Sequence, residues 1–234
     1  MRPIAFGLAA ACALGGCAVS NTPYPRPVSA TPYQPPAPVE NAYTTAARAP
    51  LHSELFACGN WGSNLGEIGY RGESVRYTPY IETPAGPLLR NPTEGACLSS
   101  GFGWRGTSDN GRQHTGLDLA NPNGGYIYAA ADGWIVAAEW RGGYGNFLEI
   151  DHGAGVRTRY AHLSEIDPNL HSGAFVAAGA AVARMGMTGN ATGVHLHYEV
   201  QVDGLTVDPL NYGLPLQYQT TPVTQTFQEQ SAVQ

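Results

Sequence analysis

The sequence predicts a mainly β protein built of loop-rich antiparallel β-sheets. Three observations carry this. Glycine supplies 30 of the 234 residues, and glycine punctuates turns and loops. Many short runs alternate apolar and polar side chains, which is the period of a half-buried strand. No long helical periodicity competes with them. The candidate strands are Gly133–Trp140, Asn146–His152, Val156–His162, Ala180–Met185 and His195–Val202.

Residues 1–16 read as a targeting segment rather than fold. Arg2 is the lone positive charge, and residues 4–14 are apolar. A membrane-crossing helix needs ~20 such residues, so this stretch is too short. Leu14-Gly-Gly-Cys17 resembles a bacterial lipobox. That resemblance implies that Cys17 is lipidated and becomes the new N-terminus. Ala18, rather than Asp, follows it, a pattern that in a Gram-negative cell implies sorting to the outer membrane. The expected location is therefore the cell envelope, lipid-anchored and facing the periplasm. The competing reading is ordinary signal cleavage and a soluble exported protein.

Residues 17–50 follow as a tether, with Pro23, Pro25, Pro27, Pro32, Pro35, Pro36, Pro38 and Pro50 spaced among Ser, Thr and Ala. Fully extended at ~3 Å per residue, roughly thirty residues reach about 100 Å. The plain alternative is a spacer with no length requirement. Residues 51–95 form an N-terminal extension with no binding-module signature. In it Asn60-Trp-Gly-Ser-Asn-Leu-Gly66 is turn-rich, and Ser74-Val-Arg-Tyr-Thr-Pro-Tyr-Ile81 is a possible strand. Residues 96–213 hold the chemistry described below. Residues 214–234 are a polar tail rich in Gln and Thr, expected to be disordered. The formal net charge is −6 and every basic residue is Arg, so nucleic acid is not an expected partner. Export removes Cys12 and lipidation uses Cys17, which leaves Cys58 and Cys97 as an even pair in an oxidising compartment. A disulfide between them would pin the extension to the edge of the following domain; the alternative is two unpaired thiols.

Chemistry concentrates in three segments: His114-Thr-Gly-Leu-Asp118, Tyr160-Ala-His162, and His195-Leu-His197. In a strand, residues two apart share a face. Leu196, Tyr198, Val200 and Val202 make one face, while His195, His197, Glu199 and Gln201 make the other. Glycines around His114 and Asp118 argue for an extended or tight-loop segment rather than a helix. Imidazole nitrogen and carboxylate oxygen suit Zn²⁺, and a hydrolytic zinc site uses three protein ligands and keeps a fourth position for water. Spacing alone leaves open whether the three segments converge, and which of His195 and His197 binds metal. A lone histidine is more often structural. His152, in Ile150-Asp-His-Gly-Ala-Gly155, reads as part of a hairpin turn, and His52 and His171 as surface loop residues.

Five stretches together resemble the LytM/lysostaphin-type zinc metalloendopeptidases, which cut peptide bonds in bacterial peptidoglycan. They are Ser99-Ser-Gly-Phe-Gly-Trp-Arg105, His114-Thr-Gly-Leu-Asp-Leu119, Tyr128-Ala-Ala-Ala-Asp-Gly133, Tyr160-Ala-His-Leu-Ser164 and Gly189-Asn-Ala-Thr-Gly-Val-His-Leu-His-Tyr-Glu-Val200, in the family's order. The resemblance covers roughly residues 96–213. It implies antiparallel sheets forming an open groove with a zinc site. It implies that His114, Asp118 and His197 bind zinc and that His162 and His195 stand beside the metal as catalytic residues.

None of the five positions is lost, so the resemblance implies a competent enzyme acting on peptidoglycan peptides. The alternative is a non-catalytic wall-binding lipoprotein that activates a peptidoglycan amidase; divisome or amidase partners are left open. A further alternative is a structural zinc protein, which would fill all four coordination positions itself. Two neutral imidazoles and a carboxylate leave zinc with a net charge near +1, which lowers the pKa of its water to roughly 7. No H-E-x-x-H glutamate is present. Glu199 shares the face of His197, either as a ligand-orienting group or as a solvated surface carboxylate. The loop between Trp104 and His114 is shorter than in many relatives, so an extra donor found there in some of them is not carried over. In some relatives an upstream segment blocks the zinc site, which makes residues 51–95 a candidate inhibitor.

Overall fold

A computed structural model describes residues 55–59, 62–65, 78–106 and 111–213. Cys17, the tether, His52 and the C-terminal tail therefore lie outside the described residues. The elements in chain order are strands β1 (Tyr80–Thr83), β2 (Gly86–Leu89), β3 (Cys97–Ser100), β4 (Gly103–Arg105), β5 (Arg112–His114), β6 (Leu117–Ala120), β7 (Tyr126–Tyr128), β8 (Gly133–Trp140), β9 (Asn146–Gly153), β10 (Val156–Ile166), β11 (Phe175–Val176), β12 (Ala181–Met185), β13 (His195–Val202) and β14 (Leu205–Val207). A 3-10 turn spans Gly142–Tyr144.

One ten-stranded antiparallel sheet dominates. Its main path runs β11-β8-β9-β10-β13-β6-β3, with β12 bridging β10 to β7, and β14 beside β13. The pairs β1-β2 and β4-β5 are separate two-stranded ribbons. The alternation in the sequence explains the two faces. Leu117, Leu119, Leu148, Ile150, Val156, Tyr160, Leu196, Tyr198 and Val200 all point into one core and are at most 1% exposed. Each such aliphatic side chain contributes ~1.5–3 kcal/mol on burial. Ile81, Leu88 and Leu89 of the extension pack into the same core, and Tyr198 donates its hydroxyl to the Leu89 carbonyl at 2.9 Å.

The predicted strands at Gly133–Trp140 and His195–Val202 are observed as β8 and β13. The others gain or lose residues at their ends; β10 runs on to Ile166. The short strands β2 to β7, β11 and β14 carry too few residues for an alternation to stand out. The run Ser74–Ile81 overlaps β1 only at its end, since residues 71–77 lie outside the described set.

One irregularity matters for function. Val156, Thr158 and Tyr160 of β10 point into the core, all 0% exposed. Simple alternation would send His162 after them. Instead the register against β9 slips between Tyr160, opposite Leu148, and Leu163, opposite Asn146. Three steps on β10 match two on β9, which is a β-bulge. His162 absorbs the extra residue at φ +62°, a region costly for a residue with a Cβ. The bulge returns Leu163 to the core, at 0% exposure, and turns His162 toward the polar face.

Candidate active site

Asp118 and His197 are direct partners across β6 and β13. His114 ends β5, four residues earlier in the chain than Asp118. The turn between them needs Gly116: a Cβ there would lie 2.2 Å from the Tyr198 carbonyl oxygen. The close approach lets His114 come back over β13.

The outcome is a triangle of ligand atoms. His114 Nε2 lies 3.0 Å from Asp118 Oδ1 and 3.0 Å from His197 Nδ1, and His197 Nδ1 lies 2.9 Å from Asp118 Oδ1. Among the described residues these three form the one group able to hold a metal ion. Zinc–nitrogen bonds of ~2.0 Å in a tetrahedron require ligand–ligand edges of about 3.3 Å, so the triangle fits such an ion after a small expansion. The donor chemistry, two imidazoles and one carboxylate, fits it as well.

The other ring nitrogens fix the tautomers. His114 Nδ1–H donates to the Gly101 carbonyl at 2.6 Å, leaving Nε2 for the centre. His197 Nε2–H donates to Glu199 Oε1 at 3.1 Å, leaving Nδ1 for the centre. His162 and His195 stand beside the triangle with ring centroids 4.7 Å apart. His162 Nδ1–H donates to the Thr188 carbonyl at 2.8 Å, and His195 Nδ1–H to the Gly193 carbonyl at 2.9 Å. Their Nε2 atoms are the ones left over, and that of His195 lies 3.7 Å from Asp118 Oδ1.

Electrostatics follow from these contacts. Burial alone would raise the Asp118 carboxyl, but hydrogen bonds from His114 and His197 outweigh it and hold the group far below the usual carboxylate range. Burial would lower His197, but its bonds to Asp118 and Glu199 raise it to about 9 in the absence of a cation. Burial, with the neighbouring His195 and His197, lowers His162 to about 4 despite the Thr188 carbonyl. His162 is therefore neutral at neutral pH. Burial opposes ionisation of Glu199, but hydrogen bonds from His197 and Thr115, with the His197 charge and the Tyr144 hydroxyl, bring it down to about 2.

The structure thus brings together the five residues singled out in the sequence. It also shows groups that sequence reasoning did not assign. Arg105 Nη2 lies 2.6 Å from Asp118 Oδ2; it sits in a recognised motif, but nothing in its spacing pointed at Asp118. Glu199 is 0% exposed, so the surface-carboxylate reading is set aside. It is covered by Tyr144, whose hydroxyl donates to Glu199 Oε1 at 2.9 Å, and by Thr115, which also donates to Oε1. Tyr144 comes from the loop after β8, where no periodicity could announce it.

The remaining histidines lie elsewhere. His152 lies in β9, one residue before its end, rather than in the turn, which falls at Ala154 and Gly155; its ring is hydrogen-bonded to the Asp132 carbonyl and the Thr158 hydroxyl. His171 is exposed in a loop. Cys58 and Cys97 form a disulfide. Residues 55–59 and 62–65 lie along β3 through parallel bridges of Ala57 with Leu98 and Ser63 with Ser100. Asn64 Nδ2 donates to the Trp104 carbonyl at 2.9 Å, not to the ligand triangle.

A cation site flanked by two imidazoles with free nitrogens is the equipment of a metal-dependent hydrolase. Residues 112–209 match Peptidase family M23. Over 120 residues it is 42% identical to the DD-carboxypeptidase/endopeptidase Mpg of Neisseria meningitidis serogroup B, covering 50% of this chain and 27% of that protein. Over 103 residues it is 38% identical to the peptidoglycan DD-endopeptidase ShyB of Vibrio cholerae, covering 44% of this chain and 24% of that protein. The matched stretch thus spans about a quarter of the length of these relatives, 27% and 24%. A solved zinc-containing peptidase from Vibrio cholerae superposes with a TM-score of 0.50 at 31% identity, over 58% of this chain and 47% of that one.

Proposed function

We propose that this chain is a zinc-dependent endopeptidase that hydrolyses peptide crosslinks of bacterial peptidoglycan. The observation that carries the reading is the convergence of His114 Nε2, Asp118 Oδ1 and His197 Nδ1 beside the free Nε2 atoms of His162 and His195. The relatives named as DD-endopeptidases and the zinc-containing structural neighbour support the substrate class and the metal.

Zinc held by His114, Asp118 and His197 would supply Lewis acidity for the scissile carbonyl and make water acidic at neutral pH. The chain's own residues supply proton transfer and orientation. Neutral His162, its Nδ1–H fixed on Thr188, presents a lone pair at Nε2 and accepts the proton of the attacking water. His195, oriented by Gly193, stands across the site to stabilise the tetrahedral species or protonate the leaving amine. The backbone carbonyls behind both rings hold them at fixed distance without competing for the free nitrogens, which is the geometry proton transfer needs.

The test is digestion of purified sacculi by the zinc-loaded chain, with muropeptide analysis and metal content measured beside a His114→Ala variant. Loss of crosslinked muropeptides with wild type, and none with the variant, is expected. Intact crosslinks after digestion with the zinc-loaded wild type would refute the reading. For location, we propose a lipid at Cys17 that anchors the domain while residues 17–50 span the distance to the wall. A Cys17→Ser variant is then expected in the soluble fraction, and wild-type protein in the outer-membrane fraction; equal partitioning of the two would overturn the anchor.

A further inference from the structure

Four histidines line the site, and each hands its second ring nitrogen to another group. For His114, His162 and His195 that group is a backbone carbonyl, of Gly101, Thr188 and Gly193. For His197 it is a carboxylate, Glu199 Oε1 at 3.1 Å.

That carboxylate is 0% exposed. Burying a charge is costly unless donors surround it. Here three donors meet one oxygen: His197 Nε2–H, the Tyr144 hydroxyl and the Thr115 hydroxyl all point at Oε1. The other oxygen faces Arg159 Nη1 at 3.4 Å. Arg159 is itself tied to Glu149 Oε2 at 2.9 Å, and Glu149 to Arg157 at 2.9 Å. Register puts the middle of this chain in one row, with Glu149, Arg159 and Glu199 directly opposite one another on β9, β10 and β13. The row lies two residues along β13 from the row of Asp118, His197 and Ala161, on the same sheet face. A buried ion network of this kind does little for stability that apolar packing would not do, so its placement behind a ligand calls for another role.

We infer that Glu199 is a positioning residue for the metal centre: it fixes the Nδ1-free tautomer of His197 and, as a buried negative charge, strengthens that nitrogen as a ligand, with Tyr144, Thr115 and Arg159 holding the carboxylate in place. The inference rests on the reading of His114, Asp118 and His197 as zinc ligands. It makes His197 a stronger donor than His114, whose second nitrogen faces the Gly101 carbonyl and the Arg105 guanidinium rather than a carboxylate.

The test is zinc affinity of the full chain, measured by competition with a chromogenic chelator, alongside thermal unfolding of the zinc-free protein. Glu199→Gln keeps an acceptor for His197 and removes the charge. A loss of zinc affinity of about 10–100-fold with one-to-one stoichiometry retained is expected. Tyr144→Phe removes one donor from Glu199 without touching a histidine, and a loss of roughly threefold is expected; it decides the matter if Glu199→Gln does not fold. A structural role alone would lower the unfolding temperature of the zinc-free variants and leave zinc affinity at the wild-type value, and that result overturns the inference. His197→Ala is the control: wild-type zinc affinity in that variant would overturn the ligand assignment itself, whereas lost binding there with unchanged binding in Glu199→Gln overturns only the role of Glu199.

Discussion

Asp118 and His197 face each other across two paired strands, with Oδ1 and Nδ1 2.9 Å apart. Their spacing is set by the sheet ladder rather than by loops. Asp118→Asn keeps the shape and removes the charge. Loss of an outer-shell partner costs about 10–100-fold in metal affinity, so loss of this inner carboxylate is expected to cost more than ~100-fold. Equilibrium dialysis against buffered zinc measures it directly.

Zinc binding should also depend on pH. Without a cation, burial lowers His197, but Asp118 and Glu199 raise it past that, to about 9. An ion must displace this proton, so affinity is expected to fall about tenfold for each pH unit below 9. The sign for the zinc-free fold is opposite. The folded value lies above the ordinary 6.5, so the stabilisation from this proton is complete below 6.5 and lost as pH rises through about 9. Thermal unfolding of the chelated protein should show a midpoint that falls across that window, and His197→Gln should flatten it.

His162 is expected to separate binding from turnover. It contributes a free nitrogen beside the triangle and no ligand atom. His162→Ala should retain one zinc per chain and lose about 10²–10⁴-fold in turnover, the usual worth of a positioned acid–base group. Metal analysis together with rates of crosslink cleavage distinguishes this from a ligand variant, which loses both.

Gly116→Ala tests the close approach of β6 to β13. The new methyl would meet the Tyr198 carbonyl oxygen at 2.2 Å, and both are backbone-anchored, so the strands must part. A destabilisation of about 1–3 kcal/mol is expected, with weakened zinc binding because His114 and Asp118 flank the displaced residue. Urea unfolding with and without zinc reads both effects.

Much of this was legible in the sequence, for physical reasons that also mark where legibility stopped. The alternation of His195–Val202 placed His197 and Glu199 on one face because strand parity is a local property. The five motif stretches named the site residues because they are contiguous. His162 was harder: parity alone sends it to the Tyr160 side, and only the slipped register against β9 shows the bulge that rescues it. Arg105, Tyr144 and the burial of Glu199 depend on how distant loops close over the sheet, and no single-segment pattern encodes that. The pairing of Cys58 with Cys97 followed from counting thiols, but the parallel bridges beside it did not.

Those bridges have a consequence of their own. β3 is the last strand on one side of the sheet's main path, and an uncovered outer strand offers its backbone to any other chain as a template for aggregation. The Leu98 and Gly101 amides donate instead to the Phe56 and Ser63 carbonyls, and a covalent link at Cys58 keeps that cover from peeling away. The stretch ahead of the domain therefore works as a selvedge: it finishes the margin of the sheet and keeps neighbouring copies from being woven onto it.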